Sequence, residues 1–201
     1  MRARDNPFAV HRIHALRFRL TDDGWLELLA RLHALDVRAA IVGPEGAGKT
    51  LLLEELGARL GTLGLASRLL TLRRGERRAA PEVRAALLAG LGGGDVVLVD
   101  GADELGPLAW SSLRRATRAA GGLVVTSHQP GLLPTLWTCG TSVELLADLV
   151  RELVGRAEAE ALRPRLAALF DRHRGDLRAA LRALYDLYGA TPATAGALPG
   201  A

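Results

Sequence analysis

The stretch GPEGAGKT at residues 43–50 combines glycines, one lysine and one hydroxyl in a spacing that suits phosphate binding. Gly43, Gly48, Lys49 and Thr50 match the pattern G-x-x-x-x-G-K-[ST]. Glycines let backbone N–H groups turn toward an anion, and a helix that begins at the lysine adds the positive end of its dipole. We therefore expect a bound nucleotide to contact the loop and the helix start, namely Gly43, Pro44, Glu45, Gly46, Ala47, Gly48, Lys49, Thr50 and Leu51.

Lys49 is the single lysine among 26 basic residues. An ammonium group is a compact point charge, whereas a guanidinium is wider and donates in a fixed fork. We predict that Lys49 places its charge between the β- and γ-phosphates and takes part in catalysis. Thr50 offers a hydroxyl ligand to Mg²⁺. Because no N-K-x-D stretch for guanine is present, the predicted cofactors are ATP and Mg²⁺.

Three carboxylates follow the apolar run DVVLVD, residues 95–100, in the stretch DGADEL. Asp100 ends that run and is predicted to hold Mg²⁺ together with Thr50. Asp103 and Glu104 come close behind, and one of them could orient or deprotonate the attacking water. The sequence does not choose between these two, and the alternative is that the pair caps the next helix.

A second group of polar residues ends another apolar run, VVTSH at 124–128. Thr126 and Ser127 are predicted to contact the γ-phosphate or the water as catalytic residues. His128 is a weaker candidate, since a lone histidine is more often packed or solvated.

The elements that must position these residues alternate between strands and helices. Strands are predicted at 38–43, 67–72, 95–100 and 122–127, with amphipathic helices between them. This alternation indicates an α/β fold: a parallel-sheet P-loop NTPase, or Rossmann-like αβα sandwich. Ligands bind such sheets at the carboxyl ends of the strands, where the candidate residues fall.

The predicted domain organisation has four parts. Residues 1–36 form an N-terminal arm, extended or irregular, followed by a helix; residues 37–143 form the ATPase core. The β signal disappears after about residue 143, and 144–189 read as three helices punctuated near Gly155 and Gly175, forming a small helical lid. Residues 190–201 are predicted to be a disordered tail.

Composition adds weaker expectations. The formal charge is +4 and the pI about 10.1. Because acidic residues nearly balance the arginines, this charge favours a nucleic-acid partner only slightly. Cys139 is the single cysteine, which excludes an internal disulfide. Neither a signal peptide nor a membrane-spanning run is evident, and the expectation is a cytoplasmic protein. DNA is a candidate partner through the stretch RRGERR, with a solvated loop as the alternative; its arginines are Arg73, Arg74, Arg77 and Arg78.

The motifs resemble those of additional-strand P-loop ATPases of the AAA+ and STAND kind, and they follow one another in the same order as in that group. The resemblance implies ATP hydrolysis, a "sensor 1" function at the end of the 122–127 strand, and a helical lid. The stretch GDLRAAL, residues 175–181, is similar to the "sensor 2" helix of clamp-loader and origin-recognition AAA+ proteins. This similarity implies that Arg178 reaches the γ-phosphate; the alternative is an arginine that faces solvent.

Finer resemblances point in two directions. NPFAV and the residues after it resemble the ExeA and TniB type of bacterial AAA ATPase, in which this arm packs near the adenine, so Phe8 and Ile13 are weak candidates there. Gly101 directly follows Asp100, as in the D-G-x-D-E pattern of NACHT-like STAND ATPases.

The stretch from Ala119 to Val150 contains no arginine. AAA+ proteins usually carry their activating arginine finger in that region, so a finger would have to come from Arg114, Arg115, Arg118 or a partner. The sequence therefore predicts a slow ATPase that acts as a nucleotide-driven switch or accessory ATPase for a protein or DNA partner. The alternatives are a non-hydrolysing nucleotide-binding scaffold and a small-molecule kinase.

Overall fold

The computed structural model describes residues 6–16, 18 and 20–190. The chain divides into two compact units. Residues 18–140 form the unit that contains the sheet, and the described residues of 1–17 and 141–201 form the helical unit. Among the described residues, no helix is both long and apolar enough to cross a membrane.

The sheet unit contains five parallel strands, β1 (Arg38–Val42), β2 (Ala66–Thr71), β3 (Asp95–Asp100), β4 (Gly122–Ser127) and β5 (Thr135–Thr138). Their order is β2-β3-β4-β1-β5, so that β4 lies between β1 and β3. The first four strands were predicted to within a residue. The fifth was missed because TLWT is too short to carry a periodic pattern.

Helices cover both faces of this sheet. They are α2 (Asp22–Ala34), α3 (Lys49–Thr62), α4 (Pro81–Leu88) and α5 (Pro107–Ala116), with short 3₁₀ turns at Ala102–Glu104 and Thr117–Ala119. Alternate residues of β1 serve the two faces: Ala39 and Ile41 join the core beneath α2 and α3, and Ala40 and Val42 join the core beneath α4 and α5. Strands buried on both faces account for the nearly continuous apolar runs and confirm the predicted α/β sandwich.

The helical unit consists of α1 (Val10–His14), α6 (Val143–Val154), α7 (Arg156–Arg172) and α8 (Leu177–Ala190). The last three correspond to the predicted lid helices and surround a core that includes Leu146, Leu162 and Leu166. The domain boundaries at 36, 143 and 189 stay predictions. Residues 191–201 of the predicted tail lie outside the described part of the chain.

Part of the arm that was predicted to be extended or irregular is helical, because it contains α1. The Asn6 side chain donates to the carbonyl of Tyr185 (2.8 Å) and accepts from the backbone N–H of Phe8 (2.9 Å). The Phe8 ring meets that of Tyr188 edge-on, with centroids 5.0 Å apart. These contacts hold Asn6 and Phe8 against α8.

Candidate nucleotide site

The loop between β1 and α3 depends on two glycines. Gly48 is the N-cap of α3 and has φ +81°, in the left-handed region that favours glycine. A Cβ on Gly43 would lie 2.4 Å from the carbonyl oxygen of Cys139. Cys139 also donates its backbone N–H to the carbonyl of Val42 (2.7 Å). The segment after β5 therefore packs against the loop so closely that only a hydrogen fits at position 43.

The first turn of α3 presents backbone donors. No acceptor among the described residues contacts the N–H groups of Gly46, Gly48, Lys49 or Thr50. No side chain caps the helix, and its first turn has no acidic residue. The first N–H groups of a helix lack intrahelical partners and carry the positive end of the dipole. This combination suits a phosphate group.

Lys49 lies across the loop, where its ammonium donates to the carbonyl oxygens of Gly43 and Pro44, both at 2.7 Å. Burial lowers the pKa of Lys49 below its ordinary value, while nearby negative charges, those of Asp103 and Asp100 among them, oppose the shift. The lysine is thus held inside the loop and within electrostatic range of both aspartates.

A chain of hydrogen bonds connects α3, β3 and β4. Thr50 Oγ1 donates to Asp100 Oδ2 (2.9 Å), and Thr126 Oγ1 donates to Asp100 Oδ1 (2.7 Å). The Thr126 hydroxyl also accepts from the backbone N–H of Gly101 (2.8 Å). The Asp100 carboxylate and the Thr50 hydroxyl form a hard oxygen donor set of the type that Mg²⁺ prefers, so these residues fit the predicted metal.

Asp103 and Glu104 both lie in the 3₁₀ turn at Ala102–Glu104, but their side chains contact two different loops. Asp103 Oδ2 accepts from the backbone N–H of His128 (2.9 Å) and lies 2.6 Å from its ring Nδ1. Burial opposes ionisation of Asp103, but the hydrogen bonds from His128 outweigh it and lower the pKa of this carboxyl. Glu104 Oε2 accepts from the backbone N–H of Gly75 (2.9 Å).

The alternative that these two acids cap the following helix is wrong. The N-cap of α5 is Gly106, which makes no side-chain cap, and the first turn of α5 contains no acidic residue. Both acids lie in the 3₁₀ turn, and Leu105 and Gly106 separate this turn from the start of α5. Their side chains are engaged with neighbouring loops instead.

Other predicted residues have different surroundings. Ser127 Oγ donates to the carbonyl of Gln129 (2.8 Å), so this hydroxyl stabilises the turn that follows β4. Arg178 is exposed in the first turn of α8, within the helical unit, and its role stays a prediction. Phe8 and Ile13 pack in the core of that same unit.

Sequence reasoning missed two residues beside the loop. The Phe18 ring approaches to 3.6 Å from the position that a Cβ on Gly48 would occupy. Cys139 closes the loop from the other side through its backbone. Neither belongs to a motif, and only tertiary packing brings either residue to Gly43 or Gly48.

The arginine-rich loop after β2 lies beside the acidic turn. The side chains of Arg73, Arg74, Arg77 and Arg78 are exposed and form no ion pair with any described residue. Besides the contact between Gly75 and Glu104, the Gly106 N–H donates to the carbonyl of Arg77 (3.2 Å). The loop therefore presents its cations to solvent while its backbone is joined to the turn that carries Asp103 and Glu104.

Comparisons with known proteins support the fold. No protein-family model matches the sequence, and no curated protein does so either. The Holliday junction branch migration motor RuvB of Thermotoga maritima matches with a TM-score of 0.54 and 18% identity, over 85% of this chain and 62% of that chain. One RuvB mutant gives 0.53 and 19%, over 82% and 59%, and another gives 0.54 and 19%, over 86% and 63%.

This chain thus spans about three fifths of the length of the RuvB chains that it matches. At this level of identity the likeness concerns the fold. The chain described here therefore has a five-stranded parallel α/β fold, with RuvB among its structural neighbours.

Proposed function

We propose that this protein is an ATP-binding, Mg²⁺-dependent P-loop ATPase that acts as a nucleotide-driven switch or accessory ATPase for a partner. The observation that carries the proposal is the chain of hydrogen bonds from Thr50 through Asp100 to Thr126, with Lys49 held in the adjacent loop. In a P-loop enzyme these are the parts that hold a nucleotide phosphate and its metal.

Each residue has a role in this proposal. The free backbone N–H groups and Lys49 bind the phosphates, and Thr50 and Asp100 hold Mg²⁺. Bound Mg²⁺–ATP supplies the phosphoryl group that is transferred to water, and the metal neutralises part of the developing charge. Thr126 keeps the Asp100 carboxylate in place, and the acidic turn with Asp103 and Glu104 contributes to activation of the water.

The direct test is to replace the only lysine with the other cation. The ammonium of Lys49 already lies within 2.7 Å of two carbonyl oxygens, so the wider guanidinium of Lys49→Arg does not fit the same space. Loss of a charge-assisted contact worth about 1.5–3 kcal/mol weakens ATP binding by roughly tenfold or more.

Titration calorimetry with ATP and Mg²⁺ measures this, with Lys49→Ala as the null variant. Arg156→Lys on the exposed start of α7 is a charge-conserving control that should leave affinity unchanged. Wild-type affinity in Lys49→Arg would contradict the proposed phosphate site.

Hydrolysis distinguishes the ATPase from the two alternatives. We expect slow basal phosphate release, below the enzyme median of about 10 s⁻¹, because no arginine lies between residues 119 and 150. In single-turnover assays, Asp103→Ala and Glu104→Ala should each lower the rate of phosphate release, while ATP binding persists. Binding without phosphate release would favour the non-hydrolysing scaffold, and ADP formation that requires an added small-molecule acceptor would favour a kinase.

A contribution of Arg178 from the helical unit is a further part of the proposal. Arg178→Ala is compared with Arg182→Ala, which removes a second exposed arginine one turn later in α8. If Arg178 reaches the nucleotide, only its removal lowers ATP affinity or turnover. Equal behaviour of the two variants would assign Arg178 to the solvated face of the helix.

DNA is the partner that the arginine loop favours, and one matching neighbour is a Holliday junction branch migration motor. These four exposed arginines, which form no ion pair with a described residue, can replace counterions on phosphates, so binding should weaken steeply with salt. Mobility shifts with a linear duplex and a four-way junction should be lost in Arg73→Gln/Arg74→Gln and kept in Arg156→Gln/Arg172→Gln. Salt-insensitive binding, or equal binding by both double variants, would exclude this surface and favour a protein partner.

A further inference from the structure

Asp103 and His128 form a close pair at the carboxyl ends of β3 and β4. One oxygen, Asp103 Oδ2, meets both the backbone N–H of His128 (2.9 Å) and its ring Nδ1 (2.6 Å). Two contacts to one oxygen restrain both the backbone and the imidazole ring. The aspartate therefore determines which way the histidine points.

This contact also determines the tautomer of the neutral ring. An ionised carboxylate can only accept, so Nδ1 carries the proton and Nε2 keeps its lone pair. Burial raises the pKa of Asp103, but its hydrogen bonds from His128 outweigh this effect and lower the pKa, so the carboxyl is ionised. No described residue hydrogen-bonds to Nε2, and the His128 side chain is 45% exposed, so water can reach this nitrogen.

The pair lies next to the candidate phosphate site. His128 follows Thr126 by two residues, and Thr126 bonds directly to Asp100. The charge of Asp103 also acts on Lys49. Among the described residues, the charged group that contacts the imidazole is Asp103. Glu104, the next residue in the turn, accepts a hydrogen bond from Gly75 instead.

Resting on the ATPase proposed above, we propose that His128 is the general base for water and that Asp103 is its positioning residue. Nε2 accepts a proton from the water as the water oxygen bonds to the γ-phosphorus. The bond from that phosphorus to the bridging oxygen breaks, and ADP leaves with the electron pair. Asp103 stabilises the imidazolium, which then returns its proton to solvent.

The experiment compares full-length variants by ATP affinity and by single-turnover phosphate release. His128→Ala is the main variant, and His33→Ala, at an exposed histidine of α2, is the matched control. A positioned general base contributes about 10²–10⁴-fold to rate. We expect a rate loss in that range for His128→Ala, little change in ATP affinity, and a wild-type rate for His33→Ala.

Two further readouts separate a base from a structural residue. Free imidazole should restore part of the rate to His128→Ala but none to Lys49→Ala, because only the former lacks a proton acceptor. Asp103→Asn should lower the rate without rescue by imidazole, because the ring is still present but has lost the carboxylate charge that stabilises its imidazolium.

Each contrary outcome has its own meaning. A His128→Ala rate close to wild type overturns the inference and leaves the ATPase standing, and loss of activity in Glu104→Gln alone would then identify Glu104 as the base. A slow His128→Ala without imidazole rescue assigns a structural role to His128 and also overturns the inference. ATP binding without hydrolysis by the wild type overturns the proposed ATPase itself.

Discussion

The hydroxyl of Thr126 offers a sharp test of how the site is built. Thr126 is 1% exposed. Its hydroxyl donates to Asp100 Oδ1 (2.7 Å) and accepts from the Gly101 N–H (2.8 Å). Valine has nearly the same shape but can make neither bond. Thr126→Val therefore leaves a backbone donor and one side of a carboxylate without this partner.

The expected loss of stability follows from these two bonds. An unsatisfied buried donor costs about 1–3 kcal/mol, and a hydrogen bond to a charged group contributes about 1.5–3 kcal/mol. Asp100 is only half-buried, so water replaces part of its lost bond. We expect Thr126→Val to lower the free energy of unfolding by about 2–4 kcal/mol. With a urea m-value of about 1–3 kcal/mol/M, the midpoint falls by roughly 1–2 M.

Tryptophan fluorescence during urea unfolding measures this loss in the right part of the chain. All three tryptophans, Trp25, Trp110 and Trp137, belong to the sheet unit. The matched control is Thr117→Val, which removes a buried hydroxyl that donates only to the carbonyls of Leu113 and Arg114 in the preceding helix. Thr126→Ser, which keeps the hydroxyl, should lose only about 1 kcal/mol for the methyl group. A loss in Thr126→Val no greater than in Thr117→Val would refute the reasoning.

Three further predictions concern the same unit. Gly43→Ala should destabilise it strongly because the new Cβ meets the Cys139 carbonyl at 2.4 Å, whereas Gly140→Ala enters open space and should be tolerated; equal thermal melting temperatures would contradict this. Because hydrogen bonds from His128 lower the pKa of Asp103 in the folded state, its carboxylate stabilises the fold above the unfolded-state pKa of about 3.9. This stabilisation is lost as the pH falls through the folded-state pKa. Asp103→Asn should therefore flatten the acid side of the urea-midpoint profile, and an unchanged slope would count against it. Burial raises the pKa of Cys139 to about 11, so Ellman's reagent at pH 8 should label unfolded protein much faster than native protein; equal rates would show an accessible thiolate.

The parts of the site that were predictable depend on short-range patterns. The Gly43–Thr50 loop is contiguous in the chain, and its glycines follow from what a phosphate-binding turn requires. Asp100 was recognisable because it ends a buried apolar run. The bonds of Thr50 and Thr126 to Asp100 were not predictable in this way, because a parallel sheet brings strand ends to one edge but only the strand order places Thr126 beside Asp100.

Other features depend on contacts that no local pattern records. Asp103 and Glu104 were equivalent by spacing, yet one holds His128 and the other accepts from Gly75. β5 has only four residues, and α1 has five, so neither carries a periodic signal. His128 ranked below Thr126 and Ser127 in sequence, because a histidine's partner is invisible until the fold supplies it.

By itself, the sequence determined the alternation of strands and helices, the two-sided burial of the sheet and the glycine-rich loop at residues 43–50, because these follow from residue periodicity and from backbone geometry within a few residues. The tertiary structure decided which side chains meet. Since β4 lies between β1 and β3, Thr126 reaches Asp100, and the loop after β4 brings His128 to Asp103. Strand order is set by packing over the whole unit, which is why these pairings could not be read from spacing alone.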